Sequence, residues 1–211
     1  MNSVLLTIVL MIPAVLIGFT FHEYAHAAVA YRLGDKTQAY QGRLTLNPLV
    51  HVDPIGFIML LMFKIGWAKP VSVNTRAFKN IRRDDLLVTA AGPIANLLVA
   101  FIFAVIYGLF IRFVSISGIV ISVIGSMIYL TIVINVNLFL FNLLPLPGLD
   151  GFRILSDLLP RAFNVIGEIA YRYQLIILLL LLSTGFAADI ISVPSTAIQS
   201  ILFNISGLIA F

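Results

Sequence analysis

The 211-residue sequence contains no cysteine and very few charged residues. The absence of cysteine excludes disulfides and thiolate metal ligands. Only 10% of the residues are charged, against about a quarter in an ordinary soluble domain. A chain that is 61% hydrophobic cannot cover its surface with polar groups in water, so a soluble globular domain is excluded as well. The net charge of +4 is compatible with basic loops beside a membrane, and we expect no nucleic-acid partner.

Charge is missing from four long stretches of the chain. Residues 1–21, 86–111, 113–149 and 190–211 contain no Asp, Glu, Lys or Arg. A helix of about 20 apolar residues is long enough to cross a lipid bilayer. The first stretch lacks the basic start of a signal peptide, so we interpret it as a retained helix. The sequence therefore predicts an integral membrane protein.

We predict an all-α polytopic membrane protein with about five to six transmembrane helices. The clearest spans cover residues 4–33, 86–111 and 119–144, and the second of these is interrupted by Gly92 and Pro93. A short amphipathic segment is predicted over 152–159 and one or two further helices over 173–211. We expect one membrane-embedded domain, 1–211, with its core at about 15–160 and C-terminal helices in 161–211.

A short re-entrant or β segment is predicted between the first span and the next. Residues 54–63 form an apolar run of only ten residues, which is too short to span, and Lys64 after it is expected to snorkel to the interface. Residues 39–46 and 71–73 are predicted to form short strands. An edge strand at 39–46 could receive an unwound substrate by strand addition.

Basic residues predict the orientation of the chain. Nine of them lie between residues 32 and 85, and the 112–118 connection contains one. Loops rich in Lys and Arg face the cytoplasm, so we expect the 32–85 segment on the cytoplasmic side. The nine residues are Arg32, Lys36, Arg43, Lys64, Lys69, Arg76, Lys79, Arg82 and Arg83.

The chemical signal is a His-Glu-x-x-His pattern at residues 22–26. His22 and His26 lie four residues apart, so on a helix both face one side about 6 Å apart, and Glu23 is placed as a general base. Such groups inside a span cost roughly 2.5–3.5 kcal/mol each, which a bound divalent cation compensates. The alternative is that residues 22–26 form a polar rim at the interface. Gly34, where the helix is expected to end, lies eight residues beyond His26, or ~12 Å along a helix. This distance places the motif below the membrane surface.

Two histidines leave the metal site in need of a third ligand. The third histidine of the chain is His51. Asp150 follows a long uncharged run and the helix-breaking Pro145 and Pro147, and broken helices at membrane depth line enclosed polar sites. Spacing alone permits a His, His, Asp site, but by itself it favours the alternative that Asp150 is a loop carboxylate at the membrane surface.

Five motifs in this order resemble the site-2 protease family of intramembrane zinc metalloproteases, in its short prokaryotic form without a PDZ domain. The resemblance extends over about 15–160. It is carried by FHEYAH, LNPLVHVDPIG, GWAKPVSVN, AAGPIAN and NLLPLPGLDG.

The resemblance implies one Zn²⁺ per chain, bound by His22, His26 and Asp150. It also implies that Glu23 is the catalytic base and that Asn142 holds the substrate or the oxyanion. The expected enzyme is a zinc metalloendopeptidase of a prokaryotic cell membrane that cleaves membrane-spanning protein substrates.

Two further residues stay open between two interpretations. His51 is either a substrate- or proton-handling residue or a loop cap, and Asn96 either contacts substrate or bonds across helices. Two other functions are also weighed. A metal-dependent transporter would place similar residues at membrane depth, but the sequence has no repeated halves. A non-catalytic substrate-binding relative would not need Glu23.

Overall fold

The computed structural model describes residues 3–63, 66–114 and 118–211, and these ranges fold into ten α-helices. Lys64 and its predicted snorkelling lie outside them. A one-turn 3-10 helix, Thr75–Ala77, precedes α5. The helices are α1 (Ser3–Arg32), α2 (Thr37–Tyr40), α3 (Pro48–His51), α4 (Pro54–Phe63), α5 (Ile81–Phe113), α6 (Ile119–Asn142), α7 (Asp150–Leu158), α8 (Pro160–Arg172), α9 (Gln174–Thr184) and α10 (Phe186–Ala210).

Four of these helices are long and apolar enough to cross a membrane. They are Leu6–Arg32 within α1, and α5, α6 and α10 over their full lengths. The prediction of an all-α polytopic membrane protein is confirmed. The predicted number of five to six spans exceeds the four found in the described ranges, because α4 has ten residues and α9 has eleven.

The predicted strands do not form in the described part of the chain. Residues 39–46 contain the end of α2 and then a turn, in which Gly42 has a φ of 69° that interrupts an extended backbone. Residues 71–73 are extended but unpaired, and the β-type pairing found is the isolated bridge between Val52 and Ala68. The strand prediction was wrong, and the proposed docking edge at 39–46 is withdrawn with it.

Helix α5 continues without a break through Pro93, where an interruption was expected. Proline lacks an N–H, so the carbonyl of Thr89 loses its helical donor, which membrane helices tolerate where neighbouring groups pack closely. Helix α6 ends at Asn142, two residues before its predicted end, and α7 begins at Asp150. The non-helical stretch between them is the proline-broken segment that the sequence indicates.

Helices α1, α5 and α6 pack closely against one another, and α10 packs on α5 and α6. Small residues allow the close approach: a Cβ on Gly18 would lie 2.6 Å from Cδ1 of Leu138. On the other side, Ser206 donates to the carbonyl of Ala104 at 2.7 Å. We call α1, α5 and α6 the three-helix core.

An extended segment, 66–74, lies against α1 and is held by the loop after α1. Asp35 accepts the backbone N–H of Asn74 at 2.7 Å. Arg43 donates to the carbonyl of Lys69 at 3.2 Å. These bonds fix the backbone of 66–74 beside the C-terminal half of α1, where the chemical motif lies.

Candidate metal centre

Three potential ligands converge inside the three-helix core. The Nε2 atoms of His22 and His26 lie 3.0 Å apart. Oδ2 of Asp150 lies 3.1 Å from Nε2 of His22 and 3.4 Å from Nε2 of His26. Both histidines are 8% exposed. The structure thus brings Asp150 to two histidines that lie more than a hundred residues before it in the sequence.

Hydrogen bonds at Nδ1 of each imidazole define which ring nitrogen carries the proton. Nδ1 of His22 lies 2.7 Å from Oδ1 of Asn96, and Nδ1 of His26 lies 2.7 Å from the carbonyl of Val88. Both oxygens only accept, so each neutral ring carries its proton on Nδ1 and a lone pair on Nε2. Such outer contacts orient histidines that bind metals.

The three potential ligand atoms are therefore all hydrogen-bond acceptors, and they face one another. Two Nε2 lone pairs face Oδ2 of Asp150, a buried oxygen without a hydrogen-bond partner among the described residues. Buried acceptors that face each other are costly unless a cation lies between them. In a tetrahedral zinc site with bonds of about 2.0–2.2 Å, ligand atoms are roughly 3.3 Å apart, and the three atoms here fit that spacing.

Gly92 of α5 creates the space for the two imidazoles. A Cβ at this position would lie 2.6 Å from Cε1 of His26 and 2.7 Å from Cε1 of His22, and it would also overlap Nε2 of His26. Glycine thus lets α5 approach α1 with both rings between them.

Asp150 is positioned by the first turn of α7. A Cβ on the following Gly151 would lie 2.5 Å from the carbonyl of Leu144, so only glycine fits this turn against the end of α6. One turn further, Arg153 donates to Asp85 of α5 at 2.6 Å. These contacts fix α7, and with it the Asp150 carboxylate, against the three-helix core.

Glu23 lies between the two histidines in sequence and is 8% exposed. Its Oε2 accepts the backbone N–H of Val71 at 3.0 Å. The extended segment 66–74 therefore contacts the carboxylate directly and orients it. A buried carboxylate beside a cation site is the arrangement that general-base chemistry uses.

The other predicted site residues lie in different surroundings. Asn142 is partly exposed, and its Nδ2 donates to the carbonyl of Leu138 at 2.9 Å. His51 is fully buried, and its Nε2 contacts the carbonyl of Thr45 at 2.8 Å. Among the described contacts, neither residue touches the three ligands. Asn96, by contrast, contacts His22 itself.

Four groups that shape this site were not predicted from the sequence. They are Gly92, the carbonyl of Val88, the N–H of Val71 and Asn135. Backbone groups leave no trace in a residue pattern. Asn135 had a signal, because an amide within an uncharged spanning run needs a buried partner.

A bundle with four possible spans and a buried His, His, Asp cluster beside a glutamate defines a class: metal-dependent hydrolases of the membrane. Comparison with known proteins specifies it further. The profile of "Peptidase family M50" matches residues 111–181, a region that includes Asp150. No solved structure matches the chain significantly.

Three curated relatives align with 74% to 95% of this chain. "Putative zinc metalloprotease YwhC" of Bacillus subtilis (strain 168) is 41% identical over 187 residues, which are 86% of this chain and 83% of that protein. Rip2 of Mycobacterium tuberculosis (H37Rv), named in the same way, is 31% identical over 207 residues, 95% of this chain and 75% of Rip2. MJ0611 of Methanocaldococcus jannaschii is 28% identical over 162 residues, 74% of this chain and 73% of that protein. The chain belongs to peptidase family M50, the site-2 protease family of zinc metalloproteases.

Proposed function

We propose that this protein is an intramembrane zinc metalloprotease that hydrolyses peptide bonds of membrane-spanning substrates. The observation that carries the proposal is the convergence of three acceptors, Nε2 of His22, Nε2 of His26 and Oδ2 of Asp150, within 3.0–3.4 Å of one another. The names of the relatives point to zinc. The donor set agrees, since two imidazoles and one carboxylate suit zinc and leave a position open.

The depth of the cluster supports cleavage within the membrane. His22 precedes the end of α1 at Arg32 by ten residues, or about 15 Å along the helix. Gly92, which packs on the same rings, follows the start of α5 at Ile81 by eleven residues, or about 16 Å along that helix. The site is thus well below the end at which α1 leaves the core.

In this proposal His22, His26 and Asp150 hold the zinc, which when bound acts as a Lewis acid that acidifies water and polarises the scissile carbonyl. Glu23 accepts the proton of the attacking water and delivers it to the leaving amine. The N–H of Val71, 3.0 Å from Glu23, keeps that carboxylate oriented.

Asn142 is proposed to donate to the developing oxyanion. Its Nδ2 uses one of two hydrogens for the carbonyl of Leu138, so the second hydrogen is available. His51 is proposed to support the loop, because its ring is fully buried and bonded to Thr45. The whole chain acts as one membrane-embedded domain.

We also propose that the 32–85 segment faces the cytoplasm. Between α1 and α5 the described residues contain no helix long enough to span, because α4 has ten residues. The basic residues of this segment then collect at one end of the bundle, which the positive-inside rule assigns to the cytoplasm.

The deciding variant is Glu23→Gln in the full-length protein. We expect it to retain about one zinc ion per chain by elemental analysis and to lose cleavage of a model transmembrane peptide by roughly 10²- to 10⁴-fold. His22→Ala, His26→Ala and Asp150→Ala are expected to lose zinc as well as cleavage. Glu168→Gln, the same change on an exposed position of α8, is the matched control and should leave both unchanged.

Retention of cleavage by Glu23→Gln would contradict the proposed chemistry. A wild-type protein that moves zinc across vesicles and cleaves no peptide would instead identify a transporter. A wild-type protein that binds zinc and peptide without cleavage would identify a non-catalytic relative.

A further inference from the structure

Beside the metal cluster, the three core helices meet in a pair of buried amides. Asn96 of α5 and Asn135 of α6 both have an exposed fraction of 0%. The third participant is the backbone carbonyl of Gly18 on α1. Buried amides at membrane depth are costly unless all their hydrogen-bonding groups are paired, so the pairing at this junction defines how each amide is turned.

The surroundings of Asn96 allow one orientation of its amide. One end lies 3.1 Å from the carbonyl of Gly18 and 3.0 Å from Oδ1 of Asn135. Both partners are acceptors, so the NH₂ group must face them and use its two hydrogens there. The oxygen is thereby directed at Nδ1 of His22, 2.7 Å away.

Asn135 is oriented by its own helix. Its Nδ2 donates to the carbonyl of Thr131 at 2.9 Å, so its oxygen is the end that faces Asn96. A Cβ on Gly18 would lie 3.1 Å from this oxygen, which shows how closely α1 and α6 enclose it. Among the described contacts Asn135 does not touch His22, and any effect on the ring passes through Asn96.

The two histidines therefore differ in how their ring protons are held. His26 donates from Nδ1 to a backbone carbonyl, that of Val88, which cannot rotate. His22 donates to a side-chain amide, which presents either an oxygen or an NH₂ group according to its rotation. If Asn96 turned round, its NH₂ would face Nδ1 of His22 and would favour the tautomer with the proton on Nε2, the atom required for the metal.

We propose that Asn135 and Asn96 are positioning residues that hold His22 in the tautomer with Nδ1 protonated and thereby raise the affinity for zinc. The chain of bonds runs from the carbonyl of Thr131 through both amides to the ring. This inference rests on the proposed function for the identity of the metal. Its prediction about the tautomer holds without any metal.

Measurements of zinc affinity test whether Asn135 acts on His22 through Asn96. Competition with a chromophoric chelator on the purified full-length protein should show a 10- to 100-fold weaker affinity for Asn96→Leu. Asn135→Leu should weaken zinc several-fold, because Asn96 keeps its bond to Gly18 but loses the partner that fixes its rotation. The double variant should match Asn96→Leu alone, since residues that act in series are not additive.

The matched control is Asn137→Leu. Asn137 lies on the same helix two residues away, and its oxygen accepts from Ser195 of α10 at 2.6 Å, on the side away from the site. The same loss of an amide should leave zinc affinity unchanged there. If Asn135→Leu does not fold, Asn135→Ala replaces it in the same comparison.

The ring tautomer gives a readout that a merely structural effect does not move. The chain has three histidines, so ¹⁵N-histidine NMR of the metal-free protein resolves each ring. We expect Nδ1 of His22 to be protonated in the wild type, whether or not Nε2 also binds a proton opposite Asp150, and to be protonated in only part of the molecules in Asn96→Leu and Asn135→Leu. His26 should keep its tautomer in every variant.

The proposal is overturned if Asn135→Leu binds zinc as Asn137→Leu does, if the two leucine variants are additive, or if Nδ1 of His22 is unprotonated in the wild type. A wild type that binds zinc and shows the expected tautomers but cleaves no peptide would contradict the proposed function and leave this inference standing. If the wild type binds no zinc but shows the expected protonation of the rings, altered in the two variants, only the role of zinc in both proposals is contradicted.

Discussion

The three-helix core and the C-terminal helix α9 differ in the kinds of side chain that they bury and expose. In the core, polar groups such as His22, Asn96 and Asn135 are buried and paired across helices. In α9 eight of the eleven residues are Leu or Ile, and Leu180 among them is 60% exposed. The core thus buries paired polar groups among its aliphatic side chains, whereas α9 exposes an apolar surface.

The contacts of the core determine how the helices pack, whereas the exposed surface of α9 makes the protein compatible with lipid. Between helices in a bilayer there is little hydrophobic driving force, and close packing and hydrogen bonds hold the helices together. The core meets that requirement with glycines at Gly18 and Gly92 and with the amide junction. Helix α9 packs against α8 and α10 and supplies lipid-compatible surface without such contacts.

Helix α7 joins the two regions. Its first residue is Asp150, and Arg153 one turn later pairs with Asp85 of α5. On its other side Phe152 packs edge-to-face on Phe163 of α8, with ring centroids 4.8 Å apart. The metal cluster is therefore completed by a helix that also contacts the peripheral region.

The largest effect is expected from a substitution where α5 packs most closely against the two imidazoles. Gly92→Ala would place a methyl group against both imidazoles, and one ring or α5 must move. We expect zinc affinity to fall by roughly 100-fold or more, beyond the 10- to 100-fold typical of changes around metal ligands, with cleavage lost in parallel. Chelator competition and elemental analysis measure it.

Gly207→Ala is the matched control for this change. Gly207 lies within α10, and a Cβ there meets nothing within 4 Å. The variant should bind zinc as the wild type does. Equal zinc affinity in Gly92→Ala would show that the two rings do not occupy the gap beside α5.

The sequence made the site predictable to the extent that its chemistry lies in side chains. His22, Glu23 and His26 follow from helical spacing, and uncharged runs revealed the spanning helices. Asp150 needed the resemblance, because no spacing rule links residues separated by a proline-broken loop. The strand at 39–46 was mispredicted because Gly42 adopts a left-handed conformation, so the backbone turns where the residue pattern suggested an extended run.

The rest could not be read from the chain because it depends on tertiary contacts. The N–H of Val71 reaches Glu23 only because Asp35 and Arg43 hold the segment 66–74 in place. The number of spans was overestimated for a similar reason. Apolar composition in 173–211 does not reveal that Gly185, with a φ of 75°, ends α9 after eleven residues.

An intermediate effect is expected at the junction between α7 and the core. Burial, and secondly the carboxylate of Asp85, raise the pKa of Asp157 to about 6, against the opposing charges of Arg153 and Arg82. The ordinary value is 3.8. Tyr171 faces the same cluster, and burial raises its pKa further above 10, outside this range.

The sign of the pH dependence follows from that shift. Between pH 3.8 and about 6 the folded state holds the Asp157 proton more tightly than the unfolded state, so this group stabilises the fold at low pH and the stabilisation is lost as pH rises. Asp157→Asn should therefore gain thermal stability relative to the wild type as pH rises through this window. A difference in melting temperature that is constant from pH 4 to 7 would contradict the prediction.

The smallest effect tests the contrast between the two regions with one pair of truncations. Leu180→Ala in α9 removes a side chain that is 60% exposed, and we expect the free energy of unfolding to change by less than about 0.5 kcal/mol. Ile132→Ala in α6 removes one that is fully buried in the core, and the remaining cavity should cost roughly 2 kcal/mol or more. Melting temperatures in one detergent compare the two directly. Equal losses would mean that α9 is packed as tightly as the core, and the division between a specific core and a lipid-compatible periphery would then fail.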